Sequence, residues 1–540
     1  MSSGTALLET TDTTGAYPRL SEEQLALLSE LGKEREVAAG DVLYREGERS
    51  REFLVVLAGT VALLAGDEVI SVHRRGRFLG GLELLTGQPL FLTAIAQEPG
   101  SVLAVPVPRL KALVERHAAL ADLILQGFLT RRSLLLPLGV GLRIVGSRYA
   151  AGTQRLCEFA ARNRLPFRWV DLEEDAEAEA LLRQVGVRPE ETPVVLWGPS
   201  LVLRNPDNAQ LADQLGLAPE RDPATGRVDV AIVGAGPAGL AASVYAASEG
   251  LETVTVDILA TGGQAGTSSR IENYLGFPAG VSGAELTDRA VVQAERFGAT
   301  LRVPAGAVGL AEQDGCYAVT LDDGKAVLAR SVIICTGVRY KRLDVPEVDR
   351  FEAGSVFYAA TEVEAQVCAG DPVMVVGGGN SAAQAALFLA GRSSVCLVAR
   401  EADLDENMSR YLVDRISKHP RIDVRTGSEV RELRGDLGLT SVVVEGPEGR
   451  HAVEAKALFV FIGASPQVEW LAGLVRLDEH GFVTTGDDAL SLETSLPGVF
   501  AAGDVRRGST KRVAAAVGEG AMAVRLVHEY FAAHTSAGRP

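Results

Sequence analysis

Val228-Asp-Val-Ala-Ile-Val-Gly-Ala-Gly-Pro-Ala-Gly239 carries an apolar strand straight into a G-x-G-x-x-G turn. An alanine-rich segment follows, and Val254-Thr-Val-Asp257 supplies the next strand, ending in an acid. In such a unit Gly234 permits the tight turn, Gly236 lets the backbone approach a pyrophosphate, and Gly239 lets the helix pack closely on the strand. Pro237 and Ala238 complete the entry into the helix. Asp257 lies 23 positions after Gly234, where a carboxylate can accept from ribose hydroxyls. Strand, turn, helix and spaced acid together predict an α/β dinucleotide-binding fold.

A second such unit begins at Val373-Met-Val-Val-Gly-Gly-Gly-Asn-Ser-Ala382 and continues through an alanine-rich helix, Ala383–Ala390, into the strand Val395-Cys-Leu-Val. Its candidate binding residues are Gly377, Gly379, Asn380, Ser381, Ala382 and, just after the strand, Arg400. Two dinucleotide folds in one chain suggest two dinucleotides, a tightly held flavin and a nicotinamide donor. Thr494-Ser-Leu-Pro-Gly-Val-Phe-Ala-Ala-Gly-Asp504 then places Asp504 beside Gly503, with a helix starting near Lys511-Arg-Val-Ala.

Composition bounds the rest. At roughly 100–200 residues per domain, 540 residues imply three to five domains. A net charge of −17 without a clustered Lys/Arg face argues against a nucleic-acid binder and against a polybasic membrane-surface protein. No apolar stretch approaches the roughly 18 residues needed to span a bilayer, and residues 1–18 read as a flexible tail without a secretory signal. Five cysteines with no C-x-x-C pair suit a reducing cytosol. The scattered histidines exclude a structural zinc site, so no metal is expected.

Upstream of Val228 the texture changes twice. Residues 19–137 show glycine-punctuated strand runs (Phe53-Leu-Val-Val-Leu, Thr60-Val-Ala-Leu-Leu), then an amphipathic helix opened by Pro108 and stopped by Pro137. That pattern reads as a small β-barrel with a flanking helix. Residues 141–217 alternate strand and helix: Leu142-Arg-Ile-Val, a helix over Gln154–Asn163, Phe167-Arg-Trp-Val-Asp, a second helix over about Ala176–Gln184, and Val194-Val-Leu-Trp. Residues 218–227 read as a polar linker.

From Val228 to about Ala533 the sequence resembles the low-molecular-weight thioredoxin reductase family of flavoproteins. The matching stretches are Gly262-Gly-Gln264, Ile271-Glu-Asn-Tyr-Leu-Gly-Phe-Pro278, Gln293-Ala-Glu-Arg-Phe-Gly298, Cys335-Thr-Gly337 and Ala501-Ala-Gly-Asp504. The resemblance implies FAD in the first fold, residues 228–345 with 467–533, and NAD(P)H in the inserted fold, residues 346–466. It places Gly262, Gly263, Gln264, Asn273, Thr336 and Gly337 around the flavin. It places Asp504 at the ribityl chain and the backbone of Arg512, Val513 and Ala514 at the polar edge of the ring.

Two departures matter. The family's redox-active pair lies in a Tyr-Cys-Ala-Thr-Cys-Asp stretch; here it reads Tyr358-Ala-Ala-Thr-Glu-Val363, with Ala359 and Glu362 at the cysteine positions. Neither can form a thiolate or relay electrons as a dithiol, so no catalytic residue is assigned. Members that prefer NADPH also carry a His-Arg-Arg…Arg cluster for the 2′-phosphate. Here Ala399-Arg400-Glu401 keeps one arginine and adds an acid, with Asp403 and Asp405 nearby, which leaves NADH versus NADPH open. Arg410 is a second candidate for the 2′-phosphate, outweighed by its reading as a surface helix residue.

The 141–217 segment resembles the thioredoxin/glutaredoxin fold through its strand order and Thr192-Pro193, where that fold places a cis-proline; the loop Ser147-Arg-Tyr-Ala-Ala-Gly-Thr153 lacks its cysteines. The first segment resembles cyclic-nucleotide-binding domains through Phe78-Leu-Gly-Gly-Leu-Glu-Leu-Leu-Thr-Gly-Gln-Pro89. That cassette uses a Glu for the ribose and an Arg for the cyclic phosphate. In register these are Gly81 and Leu90, which argues against cyclic-nucleotide binding; a register using Glu83 shifts the whole cassette.

The chain thus reads as a multidomain protein: a cyclic-nucleotide-binding-like β-barrel, a thioredoxin-like α/β module, and an α/β flavoprotein with two dinucleotide-binding domains. The expected function is hydride transfer from NAD(P)H to FAD and on to an unidentified acceptor, in a cytoplasmic homodimer. The competing readings are a flavin-based redox sensor acting through the N-terminal modules, and a disulfide reductase using cysteines from distant positions.

Overall fold

The computed structural model describes residues 8–536 except 87, 115, 139, 149, 174, 176–177, 179–181, 184–185, 199–200, 218–225, 269, 353, 361, 437, 472 and 487–491. The expected linker at 218–227 and the helix over Ala176–Gln184 therefore lie largely outside the described residues. The chain divides into two compact units, one within Met1–Ser147 and Asn163–Ala218, the other within Arg148–Arg162 and Pro219–Pro540.

In the first unit the strands Lys33–Val37, Val42–Tyr44, Glu52–Ala65, Glu68–His73 and Thr93–Pro106 form one antiparallel sheet. The two runs around Phe53 and Thr60 are one 14-residue strand, because Gly59 absorbs a bulge between them. Gly59 has φ +81°, and a Cβ there would lie 2.8 Å from the Pro99 carbonyl oxygen, so only glycine fits without displacement. The flanking helix differs from expectation. It is broken into Val107–Val114 and Ala118–Leu138, and Pro137 falls within its last turn, not beyond it. A proline near a helix C-terminus forfeits one donor, and the helix stops one residue later.

The strands Phe167–Asp171, Leu142–Gly146, Val194–Trp197 and Leu201–Arg204 form a four-stranded sheet in that order. The first pair is parallel and the other two are antiparallel. The hairpin strand Leu201–Arg204 was not anticipated from the sequence. Thr192-Pro193 is cis, as the thioredoxin-like reading expects. Phe91 and Trp197 stack at 5.8 Å, and Arg132 donates to the carbonyls of Asn163 and Arg164, so barrel and sheet form one body.

The helix Ala151–Arg162 groups with the second unit, whereas the sequence pattern keeps it within 141–217. It packs against the helix Glu362–Val367, and Arg162 donates to the Gly263 carbonyl oxygen at 3.4 Å. The rest of this unit holds two Rossmann-type sheets. In one, the strands Thr300–Arg302, Thr253–Val256, Arg227–Val233, Ala326–Ile334 and Val499–Ala501 run parallel, extended by an antiparallel hairpin, Ala307–Gln313 with Cys316–Leu321. The other orders Val356–Phe357, Ala457–Val460, Val373–Val376, Val395–Val398 and Ile422–Arg425, all parallel. The central strands Thr253–Val256, Val373–Val376, Val395–Val398 and Ala457–Val460 are wholly buried, as parallel strands covered by helices on both faces must be.

Candidate functional site

Both glycine turns open on one cavity of about 1690 Å³. At the first, Gly236 caps the helix Pro237–Ser248 with no side-chain bond and Pro237 at its first position, so first-turn N–H groups remain available to an anion. A Cβ on Gly234 would lie 2.2 Å from the Cys335 carbonyl oxygen, and one on Gly263 would lie 2.9 Å from Gly236 Cα. Only bare backbone fits where the two turns approach. Gly239 does not line the cavity; a Cβ there would lie 1.8 Å from the Gly234 carbonyl oxygen, which makes it the helix–strand packing residue. This cradle, with an acid at its rim, fits the adenylate half of a dinucleotide.

Asp257 ends the second strand and accepts from the backbone N–H of Ala235 at 2.8 Å, and of Leu259 and Ala260 at 3.1 and 3.3 Å. Burial pushes its carboxyl up, and these donors and Arg162 pull it back. Gly263, Gln264, Thr336, Gly337, Gly503, Asp504, Arg512 and Val513 also line the cavity. Gln264 Nε2 is 3.4 Å from the Val338 carbonyl oxygen, and Thr336 Oγ1 donates to that of Gln467. Burial raises the Asp504 carboxyl while Lys511 opposes it. Gly503 N–H is held by Glu519, which pairs with Arg506 at 2.6 Å.

Besides Gly239, and Ala382 at the second turn, three expected residues stand outside the cavity lining. Gly262 is buried beneath it against Thr287. Asn273 is exposed, on the loop whose Ile271 is buried against Ala265 and Val281. Ala514 is exposed on the first turn of Val513–Ser536. Conversely, Glu158, Arg162, Tyr340 and Lys341 line the cavity and were not anticipated. Arg162 comes from a segment more than 60 residues before the first glycine turn, so no local motif announces it.

At the second turn Gly377, Gly379, Asn380, Ser381 and Arg400 line the cavity, and Ala382 is buried behind them. Gly379 caps the helix Asn380–Leu389, again without a side-chain bond. Asn380 Oδ1 accepts the Ser409 N–H at 2.7 Å. Arg410 is paired with Asp405 at 2.9 Å and Asp414 at 3.4 Å, consistent with a surface role. Glu401 and Asn407 also line this end.

The barrel presents a different picture. Its internal cavity measures about 20 Å³, bounded by Tyr44, Gly81, Glu83, Leu90, Arg131 and Arg132 among others. Arg131 is buried and donates to the carbonyls of Ala16, Gly80 and Phe78 at 2.7, 2.7 and 3.0 Å. Its guanidinium also sits 4.5 Å over the Phe78 ring. Burial pushes Arg131 down to about 10 and raises the Glu83 carboxyl.

Fold and cavity together define a dinucleotide-dependent oxidoreductase: two nucleotide-binding sheets face one shared space, preceded by a cyclic-nucleotide-type barrel. The chain belongs to the pyridine nucleotide-disulphide oxidoreductase family, whose model matches residues 228–520. The cyclic nucleotide-binding domain matches residues 34–117. The family implies FAD and NAD(P)H as cofactors. Relatives include a 34.2 kDa protein in the rubredoxin operon of Clostridium pasteurianum, 30% identical over 314 residues, covering 56% of this chain and 97% of that protein. The thioredoxin reductase of Streptomyces clavuligerus is 32% identical, covering 56% and 94%. Among solved structures, Lactococcus lactis thioredoxin reductase matches with TM-score 0.54 and 28% identity, covering 56% of this chain and 99% of that one. T. acidophilum thioredoxin reductase matches with TM-score 0.53 and 30% identity, covering 56% and 98%. The protein is an NAD(P)H-dependent oxidoreductase of thioredoxin reductase type.

Proposed function

We propose that this enzyme takes reducing equivalents from NAD(P)H through FAD and delivers them to an acceptor other than a dithiol of its own. A bound flavin supplies the two-electron chemistry, accepting hydride from a reduced nicotinamide and releasing electrons onward. The protein's part is to hold and orient: Asp257 with the Gly234–Gly239 turn at the adenylate half, Gly263, Gln264, Thr336, Gly337 and Val513 around the ring, and the Gly377–Ser381 turn for the nicotinamide coenzyme. Asp504, half-buried beside Gly503, takes the ribityl hydroxyls.

The observation that carries the acceptor reading is the state of the thiols. All five cysteines are free and buried. Burial pushes Cys157 and Cys368 up to about 12 and Cys396 up to about 11, and raises Cys335 as well. These groups stay protonated at neutral pH, the unreactive form for disulfide exchange. Ala359, at one of the family's cysteine positions, offers no sulfur, and Glu362 offers none at the other. The acceptor classes that remain are a quinone, oxygen, a small electron carrier, or a partner's disulfide reaching the flavin directly.

Anaerobic stopped-flow reduction by NADH and NADPH, followed by steady-state turnover with those acceptors, tests the proposal. Flavin bleaching followed by turnover with one acceptor supports it. Bleaching without turnover with any acceptor favours a redox sensor. A homodimer in the cytoplasm belongs to the same proposal, and light scattering of the purified protein checks the dimer. Among the described residues no helix is long and apolar enough to cross a membrane.

A further inference from the structure

We infer that Glu401 selects NADH over NADPH by accepting the 2′- and 3′-hydroxyls of the adenosine ribose. This deepens the proposed function and rests on it, since it names the coenzyme for the second dinucleotide fold.

The geometry comes from the strand Val395–Val398, which carries on through Ala399 beyond its last paired residue. Ala399 N–H donates to the Arg425 carbonyl, Ser428 N–H to the Ala399 carbonyl, and Gly427 N–H to the Glu401 carbonyl at 2.8 Å. The backbone at Glu401 is therefore pinned, and its side chain turns back over the glycine turn. A Cβ built on Gly378 would lie 2.3 Å from Glu401 Oε2. The carboxylate thus sits on the turn that receives the coenzyme's pyrophosphate, at the C-terminal end of the second strand. An acid placed there accepts from ribose hydroxyls.

Its two oxygens differ. Oε1 is held by Asn407 Nδ2 at 3.3 Å and Arg400 Nε at 3.4 Å. Oε2 is buried and has no hydrogen-bond partner in the protein, although the side chain is only 13% exposed. An unmatched buried carboxylate oxygen costs free energy, and rotation of the carboxylate toward a ligand that donates to it recovers that cost. Ribose hydroxyls donate; a 2′-phosphate brings only acceptors and a second negative charge.

Cations do not offset this. Two basic residues of the 346–466 segment line the cavity among the described residues, Arg400 and Arg431. Arg431 is engaged by Glu445 at 2.6 Å and Glu429 at 2.8 Å. Arg400 is paired with Glu401 itself, so pulling it toward a phosphate would strip the carboxylate of one of its two partners.

The test is equilibrium binding of NADH and NADPH to the FAD-loaded protein, read by flavin fluorescence, alongside anaerobic flavin reduction. NADH is expected to bind at least tenfold more tightly. Glu401→Gln, which keeps the shape and removes the charge, should weaken NADH and shrink the NADH/NADPH ratio at least fivefold, with FAD content unchanged; Glu401→Asp should retain the preference in part. Tighter binding of NADPH, or a ratio unchanged in Glu401→Gln, would overturn the assignment while leaving the proposed function standing. If neither coenzyme binds or reduces the flavin, both fail together.

Discussion

The Glu83 carboxylate fills the space into which a side chain at Gly81 would project: a Cβ built on Gly81 would lie 2.6 Å from Glu83 Oε2. The acid that the cassette register removes at Gly81 is thus supplied from two residues further on, but it arrives buried and enclosed.

Binding of cyclic nucleotides should consequently be absent. The barrel cavity is about 20 Å³, whereas small-molecule sites typically run to roughly 300–1,000 Å³. Leu90 offers no guanidinium, and Arg131 is already held by three carbonyls. Calorimetry should detect no cAMP or cGMP binding at about 10 μM. Measurable heat at that concentration would show that Arg131 leaves its carbonyls to open the barrel.

His73 should make the first unit acid-sensitive. It is fully buried, with Nε2 2.9 Å from Ser71 Oγ and Nδ1 unpartnered. Burial, aided by Arg131 and Arg77, holds its pKa well below the ordinary value of 6.5. The unfolded chain therefore takes up a proton first, and stability present above about pH 6.5 is lost as pH falls toward the folded-state value. The loss approaches about 1.4 kcal/mol per pH unit in that window. Thermal melts at pH 7 and pH 5.5 should show it, and His73→Gln should flatten the dependence; an equal slope in the variant would assign the sensitivity elsewhere.

Titration with dithionite should consume about two electrons per flavin, since no thiol pair is available beside it. Four electrons would mean that two of the buried cysteines form a reversible disulfide. In the same spirit, alkylation of the native protein by iodoacetamide should be slow at pH 7.5 and become fast only in denaturant.

Purified protein should carry one FAD per chain, and Asp257→Ala should lower that occupancy. The substitution removes the acceptor for the Ala235 N–H at the turn and for any ribose hydroxyl. Hydrogen bonds to a charged group contribute about 1.5–3 kcal/mol, so affinity should drop roughly ten- to a hundredfold. The ratio of flavin to protein absorbance after gel filtration measures it. Unchanged occupancy would show that the glycine cradle alone holds the cofactor.

Much of the catalytic unit was legible in the chain because glycine turns are local. A strand, a Gly234 that must take φ +107°, and a helix within 20 residues specify their own geometry. The Asp504 stretch was legible for the same reason. The loop Ile271–Pro278 shows where such reading stops. Its motif is visible in the chain, but which of its side chains is buried depends on packing: Ile271 sits against Ala265 and Val281, and Asn273 is exposed. The division of the barrel helix into Val107–Val114 and Ala118–Leu138 and the strand Leu201–Arg204 were likewise invisible to periodicity, since short apolar runs fit several geometries.

The amino-acid sequence alone determined that two dinucleotide folds exist, that no adjacent cysteine pair accompanies them, and that the nicotinamide fold carries an acid after its second strand. Each follows from residues near one another in the chain, where spacing and backbone freedom decide the outcome. Tertiary structure alone decided that Arg162 reaches the Gly263 carbonyl, that the Glu83 carboxylate lies against Gly81, and that Glu401 Oε2 lies buried above Gly378 without a partner. Those facts depend on which side chain reaches a shared space once the sheets have packed, and on whether water or protein satisfies it there. Periodicity and motif carry no record of either.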